Sequence, residues 1–159
     1  MRGKTRNFPL ETLNNFSVSF QVSVPFKYGI VIQPISLTST EPAAGSIAVV
    51  SGWGYTLSSD GVLNLPSKLQ AANVFIVSRP ECDYVYAAYG GITQSMICAN
   101  VPGGGKGPCE GDNGGPLVFG GKLVGIMSWG NGCGSAQYPM VYSNVAYLKD
   151  FITQQTGVQ

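Results

Sequence analysis

The sequence predicts an all-β fold, and three observations predict it. Charged residues make up only 11% of the 159 residues while apolar ones reach 44%. The chain holds 22 glycines and 10 prolines, a turn-rich composition. Short apolar segments of β type recur along it, separated by turn signals. The length suits one large domain, or one and a half small ones.

The elements follow in order. Residues 1–15 are polar and irregular. Phe16, Val18, Phe20, Val22 and Val24 then alternate with Ser17, Ser19, Gln21 and Ser23, the pattern of a half-buried strand. Pro25 and the Gln33-Pro34 pair bracket an apolar run from Tyr28 to Ile32, and Thr38 to Gly45, with Pro42, reads as a connector. Further strands are predicted over Ile47 to Trp53, Ala71 to Val77, Pro116 to Phe119, Leu123 to Trp129 and Met140 to Ser143. Gly120-Gly121 is the shortest connection and the clearest hairpin. Only the end reads as helix: Asn144 caps a segment whose Val145, Leu148, Phe151 and Ile152 share one face, and Gly157 stops it.

Composition excludes several functions. Nine Lys and Arg against eight Asp and Glu give a net charge of +1, so no strong field favours nucleic acid or an acidic membrane surface. No run approaches the roughly 18 apolar residues of a membrane span. There is no histidine, which removes any imidazole base or ligand within these residues. Cys82, Cys98, Cys109 and Cys133 allow three pairings; with no Cys-x-x-Cys and no histidine, disulfides are favoured over a metal site, and no cofactor is implied. Paired cysteines imply an oxidising compartment, although the basic start Met1 to Pro9 lacks the apolar stretch of an export signal. Gly103-Gly104-Gly105-Lys106-Gly107 lacks the Ser or Thr a phosphate loop needs after its lysine and is expected to be a surface turn. Trp53 and Trp129 are expected in core or pocket-wall positions. Asn15-Phe16-Ser17 matches a glycosylation sequon.

The stretch Cys109-Glu110-Gly111-Asp112-Asn113-Gly114-Gly115-Pro116-Leu117 resembles the nucleophile loop of chymotrypsin-like and trypsin-like serine proteases. Ser51-Gly52-Trp53-Gly54, Met96-Ile97-Cys98, Ser128-Trp129-Gly130 with Gly132-Cys133, and Val141-Tyr142 extend the resemblance in the family's order over about residues 13 to 156. It implies a six-stranded antiparallel β-barrel, the family's second, over residues 43–159 with a C-terminal helix at about 144–156. Residues 1–42 would be a remnant of the first barrel and the connector between barrels. The upstream half of that first barrel, with the catalytic histidine, has no counterpart here. The family's pairing would join Cys82 to Cys98 and Cys109 to Cys133, and its members suggest an extracellular location.

The resemblance also assigns positions, and this sequence departs from it at several. The nucleophilic serine would fall at Asn113, whose amide nitrogen is delocalised into its carbonyl and offers no activatable proton. The triad aspartate would fall at Asn15 or Phe16. Oxyanion-hole N–H groups would be those of Gly111 and Asn113. The pocket positions would be Gly107, where trypsin-like members carry an aspartate for Lys and Arg, together with Ser128, Trp129, Gly130 and Met140, whose thioether should partly fill the slot. Asp112 would normally pair with a freed amino terminus; lacking it, the carboxylate should turn to solvent or another donor and leave the oxyanion hole collapsed. The expectation is a serine protease homologue that hydrolyses nothing and acts, if at all, by holding a protein or peptide in a vestigial cleft. The competing expectations are a truncated product without independent function, or a half-enzyme needing a partner chain. An unpaired strand 16–24 would favour self-association.

Overall fold

A computed structural model describes residues 22–57 and 62–158. Along these residues run β1 (Ser36–Leu37), β2 (Ile47–Gly52), β3 (Thr56–Leu57), β4 (Leu63–Asn64), β5 (Gln70–Val77), α1 (Arg79–Tyr86), β6 (Met96–Asn100), β7 (Pro116–Phe119), β8 (Lys122–Trp129), β9 (Met140–Asn144) and α2 (Val145–Thr156). Each predicted segment from Ile47 onward forms its strand, with Trp53 falling just outside β2.

Side-chain alternation decides which face each strand buries. β2 turns Ala48 and Val50 inward and leaves Ile47 and Val49 outside, and β5 does the same with Val74 and Ile76. The antiparallel neighbours run β8, β7, β2, β5, β6, β9, and β9 returns to pair with β8, closing a six-stranded barrel without a free edge. β1 adds a two-residue parallel pairing outside it, Ser36 opposite Lys122 and Leu37 opposite Leu123. Leu117, Val124, Met127, Met140 and Tyr142 complete the barrel interior.

β6 and β9 are buried along nearly their whole length because both faces are covered. Ile97, Ala99, Met140 and Tyr142 face the barrel; Met96, Cys98 and Val141 face a second cluster with Cys82 and Tyr86. The Cys82–Cys98 bridge ties that cluster to β6, and Cys109–Cys133 joins the two loops beside the candidate site, the pairing that the resemblance implies.

Gly120 and Gly121 form the expected hairpin, with φ of 56° and 73° that side-chain-bearing residues rarely adopt. Asn144 caps α2 by accepting from the Tyr147 N–H, and Gly157 ends it in the left-handed region. The expectation that only the end is helical fails at α1. There Ser78 accepts from the Glu81 N–H and Pro80 occupies the first turn, a Ser-x-x-Glu start followed by too few apolar residues to show a helical period. Arg79 then pins α1: its guanidinium donates to the Thr93 and Met96 carbonyls and to Glu41, 2.8 Å away, which also accepts from Asn144 Nδ2 at 2.7 Å.

Of the predicted strand 16–24, residues 16–21 lie outside the described residues, and Val22 to Val24 are exposed and not in a strand. Every residue from 22 to 36 is exposed. Trp53 departs from the expected core or wall position: it is 59% exposed, because β2 ends at Gly52 and the chain turns outward.

Candidate functional site

The nucleophile-like loop is a set of turns held at several points. Asp112 N–H donates to Cys109 O, Gly115 N–H to Asp112 O, Gly114 N–H to Met127 O, and Met127 N–H to Gly115 O, so the loop is stitched to itself and to β8. Tyr55 N–H donates to Glu110 O at 2.8 Å and fastens the loop to the segment after β2. Gly111 has a φ of 93°, and Gly111, Asn113 and Gly114 are all exposed. The backbone that the resemblance expects to supply oxyanion-hole donors, at Gly111 and Asn113, is therefore at the surface.

Asp112 turns inward. Its Oδ1 accepts from the Gly54 N–H at 2.8 Å and its Oδ2 from the Cys109 N–H at 3.1 Å, so of the two expected outcomes the carboxylate takes other donors rather than solvent. Glycine makes this possible. A Cβ on Gly52 would lie 2.0 Å from Asp112 Oδ1, and one on Gly54 2.4 Å from Asp112 Cγ. The Ser51-Gly52-Trp53-Gly54 motif thus forms the floor on which Asp112 rests, a role that its spacing in the sequence did not reveal.

A cavity of about 690 Å³ opens beside the carboxylate, lined among others by Gly52, Gly54, Gly107, Asp112, Met127 and Tyr142. That volume is in the range of small-molecule and side-chain sites. The Tyr142 hydroxyl is buried and has no hydrogen-bond partner among the described residues. Burial pushes its ionisation well above the ordinary tyrosine value, and the nearby Asp112 carboxylate adds to the rise.

The other residues expected at pocket positions lie elsewhere. Ser128 and Gly130 are exposed at the end of β8, and Trp129 is half-buried. None of the three lines the cavity. The Trp129 ring meets Tyr86 edge-on, centroids 4.7 Å apart, and Tyr86 also contacts Tyr89 and Tyr138. The Tyr86 hydroxyl donates to Pro139 O at 2.6 Å, and burial raises its ionisation. Met140 is 6% exposed and packs against Gly130, where an added Cβ would stand 2.5 Å from its sulfur. The structure thus brings Gly107, Asp112 and Tyr142 to one cavity and sets Ser128, Trp129 and Gly130 on a separate aromatic shelf. Asn15 and Phe16 lie outside the described residues. No group of three metal-ligating side chains occurs among the described residues, and no helix among them is long and apolar enough to cross a membrane.

A closed six-stranded barrel with its nucleophile-like loop stitched to β8 defines a serine-protease-like chain. The trypsin family model matches residues 5–152, and the chain belongs to that family. It is 44% identical over 145 residues to trypsin beta of Drosophila erecta, covering 91% of this chain and 55% of that one. It is 43% identical over 143 residues to trypsin II-P29 of Gallus gallus, covering 90% and 56%. Among solved structures, it resembles neuropsin, a serine protease expressed in the limbic system of mouse brain, with a TM-score of 0.73 and 37% identity over 81% of this chain and 56% of that one. The chain spans about half the length of the curated relatives it matches.

Proposed function

We propose that this chain is a trypsin-family homologue that binds polypeptide at the former active-site face without hydrolysing it. One observation carries the reading: the loop held by five backbone hydrogen bonds and a disulfide carries Asn113 where the family resemblance would put the nucleophilic serine. A carboxamide cannot be activated by deprotonation as a serine hydroxyl is, and these 159 residues contain no imidazole to do so. Gly107 provides no charge for a Lys or Arg side chain, and Met140 fills the space against Gly130. The specificity of a trypsin is therefore not carried over. The segment Ser128 to Gly130, exposed at Ser128 and Gly130 with the half-buried Trp129 packed on Tyr86, leaves a surface able to receive an extended peptide. The two disulfides fit secretion, and we extend that to an extracellular site of action.

The test is an assay of the purified, disulfide-intact chain with fluorogenic Arg, Tyr and Leu peptides and a fluorophosphonate probe. No turnover and no labelling are expected, and Asn113→Ser alone should remain silent for want of a base. Turnover that disappears on mutating Gly111 would overturn the reading.

A second reading is favoured by the run of exposed residues from 22 to 36, which includes Ile30 at 101% and Val31 at 92% exposure. On that reading the chain functions only beside another polypeptide that covers this segment, or has no independent function. A sharp, cooperative thermal transition of a monomer with dispersed amide signals would count against it.

A further inference from the structure

We propose that Asn131 is a site of spontaneous deamidation on the aromatic shelf, and that the fold directs the reaction there and away from Asn113. The chain has two Asn-Gly steps beside its functional face, Asn113-Gly114 and Asn131-Gly132. Glycine after asparagine favours the reaction because no side chain hinders the approach of the following backbone nitrogen to the asparagine Cγ. That nitrogen forms a bond to Cγ as the Cγ–NH₂ bond breaks, giving a cyclic imide and ammonia. Water then opens the imide at either carbonyl, leaving aspartate or isoaspartate. Water is the only co-reactant.

All four residues are exposed, so exposure does not separate the two sites. Hydrogen bonding does. The attacking nitrogen of Gly114 donates to Met127 O at 2.9 Å, and the flanking Asp112 and Gly115 amides are also bonded. Freeing Gly114 means breaking part of the ladder that joins the loop to β8. At about 1 kcal/mol for a net hydrogen bond, that slows the reaction at Asn113 roughly fivefold. The Gly132 N–H has no hydrogen-bond partner among the described residues, and Gly132 sits at a φ of 81° in the bend before Cys133.

The product also fits its surroundings. Asn131 Nδ2 donates to the Tyr89 hydroxyl at 3.3 Å. With aspartate at 131 the bond reverses, and the Tyr89 hydroxyl donates to the new carboxylate. The conversion places a negative charge on the aromatic shelf, beside Trp129 and Tyr89. If the peptide-binding reading holds, the converted form should prefer basic segments; the deamidation itself does not depend on that reading.

The experiment incubates the folded, disulfide-intact chain in mildly alkaline buffer, then maps peptides by mass spectrometry with electron-transfer fragmentation to separate aspartate from isoaspartate. Conversion at Asn131 is expected to outpace that at Asn113 roughly fivefold or more, and in the reduced, denatured chain the two rates should converge. The Asn131→Gln variant should lose the fast event and leave Asn113 unchanged. Faster or equal conversion at Asn113 in the folded chain, or no conversion at Asn131, overturns the proposal. So does a ratio that survives denaturation, because the fold would then not be directing the reaction.

Discussion

A methyl group added at Gly54 would have to occupy the space of the Asp112 carboxylate, and the side chain that fills it rests on two backbone N–H donors it cannot easily leave. Gly54→Ala and Gly52→Ala should therefore each cost about 1–3 kcal/mol, read as a lowered urea midpoint with an unchanged slope. Tyr142 tests the other side of the same cavity. Its ionisation is raised in the folded state, so the unfolded chain deprotonates first. The contribution is complete below the ordinary value of 10.0 and is lost as pH climbs above it. Tyr86 shifts in the same direction. Denaturant titrations on either side of pH 10 should show stability falling with pH, and Tyr142→Phe should flatten the fall while costing little at neutral pH, since its hydroxyl gives up no protein partner. A steep fall unchanged by Tyr142→Phe would show that other groups dominate.

Among the elements, α1 separates a local signal from a tertiary one. Ser78 caps it and Arg79 docks it. Ser78→Ala removes the bond to the Glu81 N–H and should cost about 1 kcal/mol. Arg79→Met removes donors to two carbonyls and to Glu41, and should cost about 1–3 kcal/mol, more than Glu41→Gln, whose amide still accepts from Asn144. The ion pair itself is partly exposed, so its charge adds little, and raising the salt concentration should leave this order intact. Reversal of the order would place the weight on charge. The strands were legible because each buries one face and writes a period of two into its sequence. α1 was not, because only Cys82 and Tyr86 of its eight residues are buried. α2 was legible through Asn144 and Gly157, which act within a single turn.

For the whole molecule, pairing of β8 with β9 leaves no free edge in the six-stranded barrel, so among the described residues the exposed apolar side chains of 22–35 are the main liability for association. Sedimentation should detect association that grows with concentration, and Ile30→Lys with Val31→Lys should reduce it; a monomer at all concentrations would remove this expectation. The Cys82–Cys98 bridge closes a separation of 16 residues, and replacing both cysteines by alanine should cost roughly 3 kcal/mol in thermal or urea unfolding.

Residue identities and local spacing by themselves determined the all-β class, most strand positions, both ends of α2 and family membership. These depend on periods, caps and motifs read within a few residues. The tertiary structure decided where Asp112 points, that Gly107, Asp112 and Tyr142 share a cavity, that Trp53 is exposed, and which of two Asn-Gly steps is held by a hydrogen bond. The Asp112 contact to Gly54 spans 58 positions. No local pattern encodes such a contact, because it exists only once barrel closure has brought the two loops together.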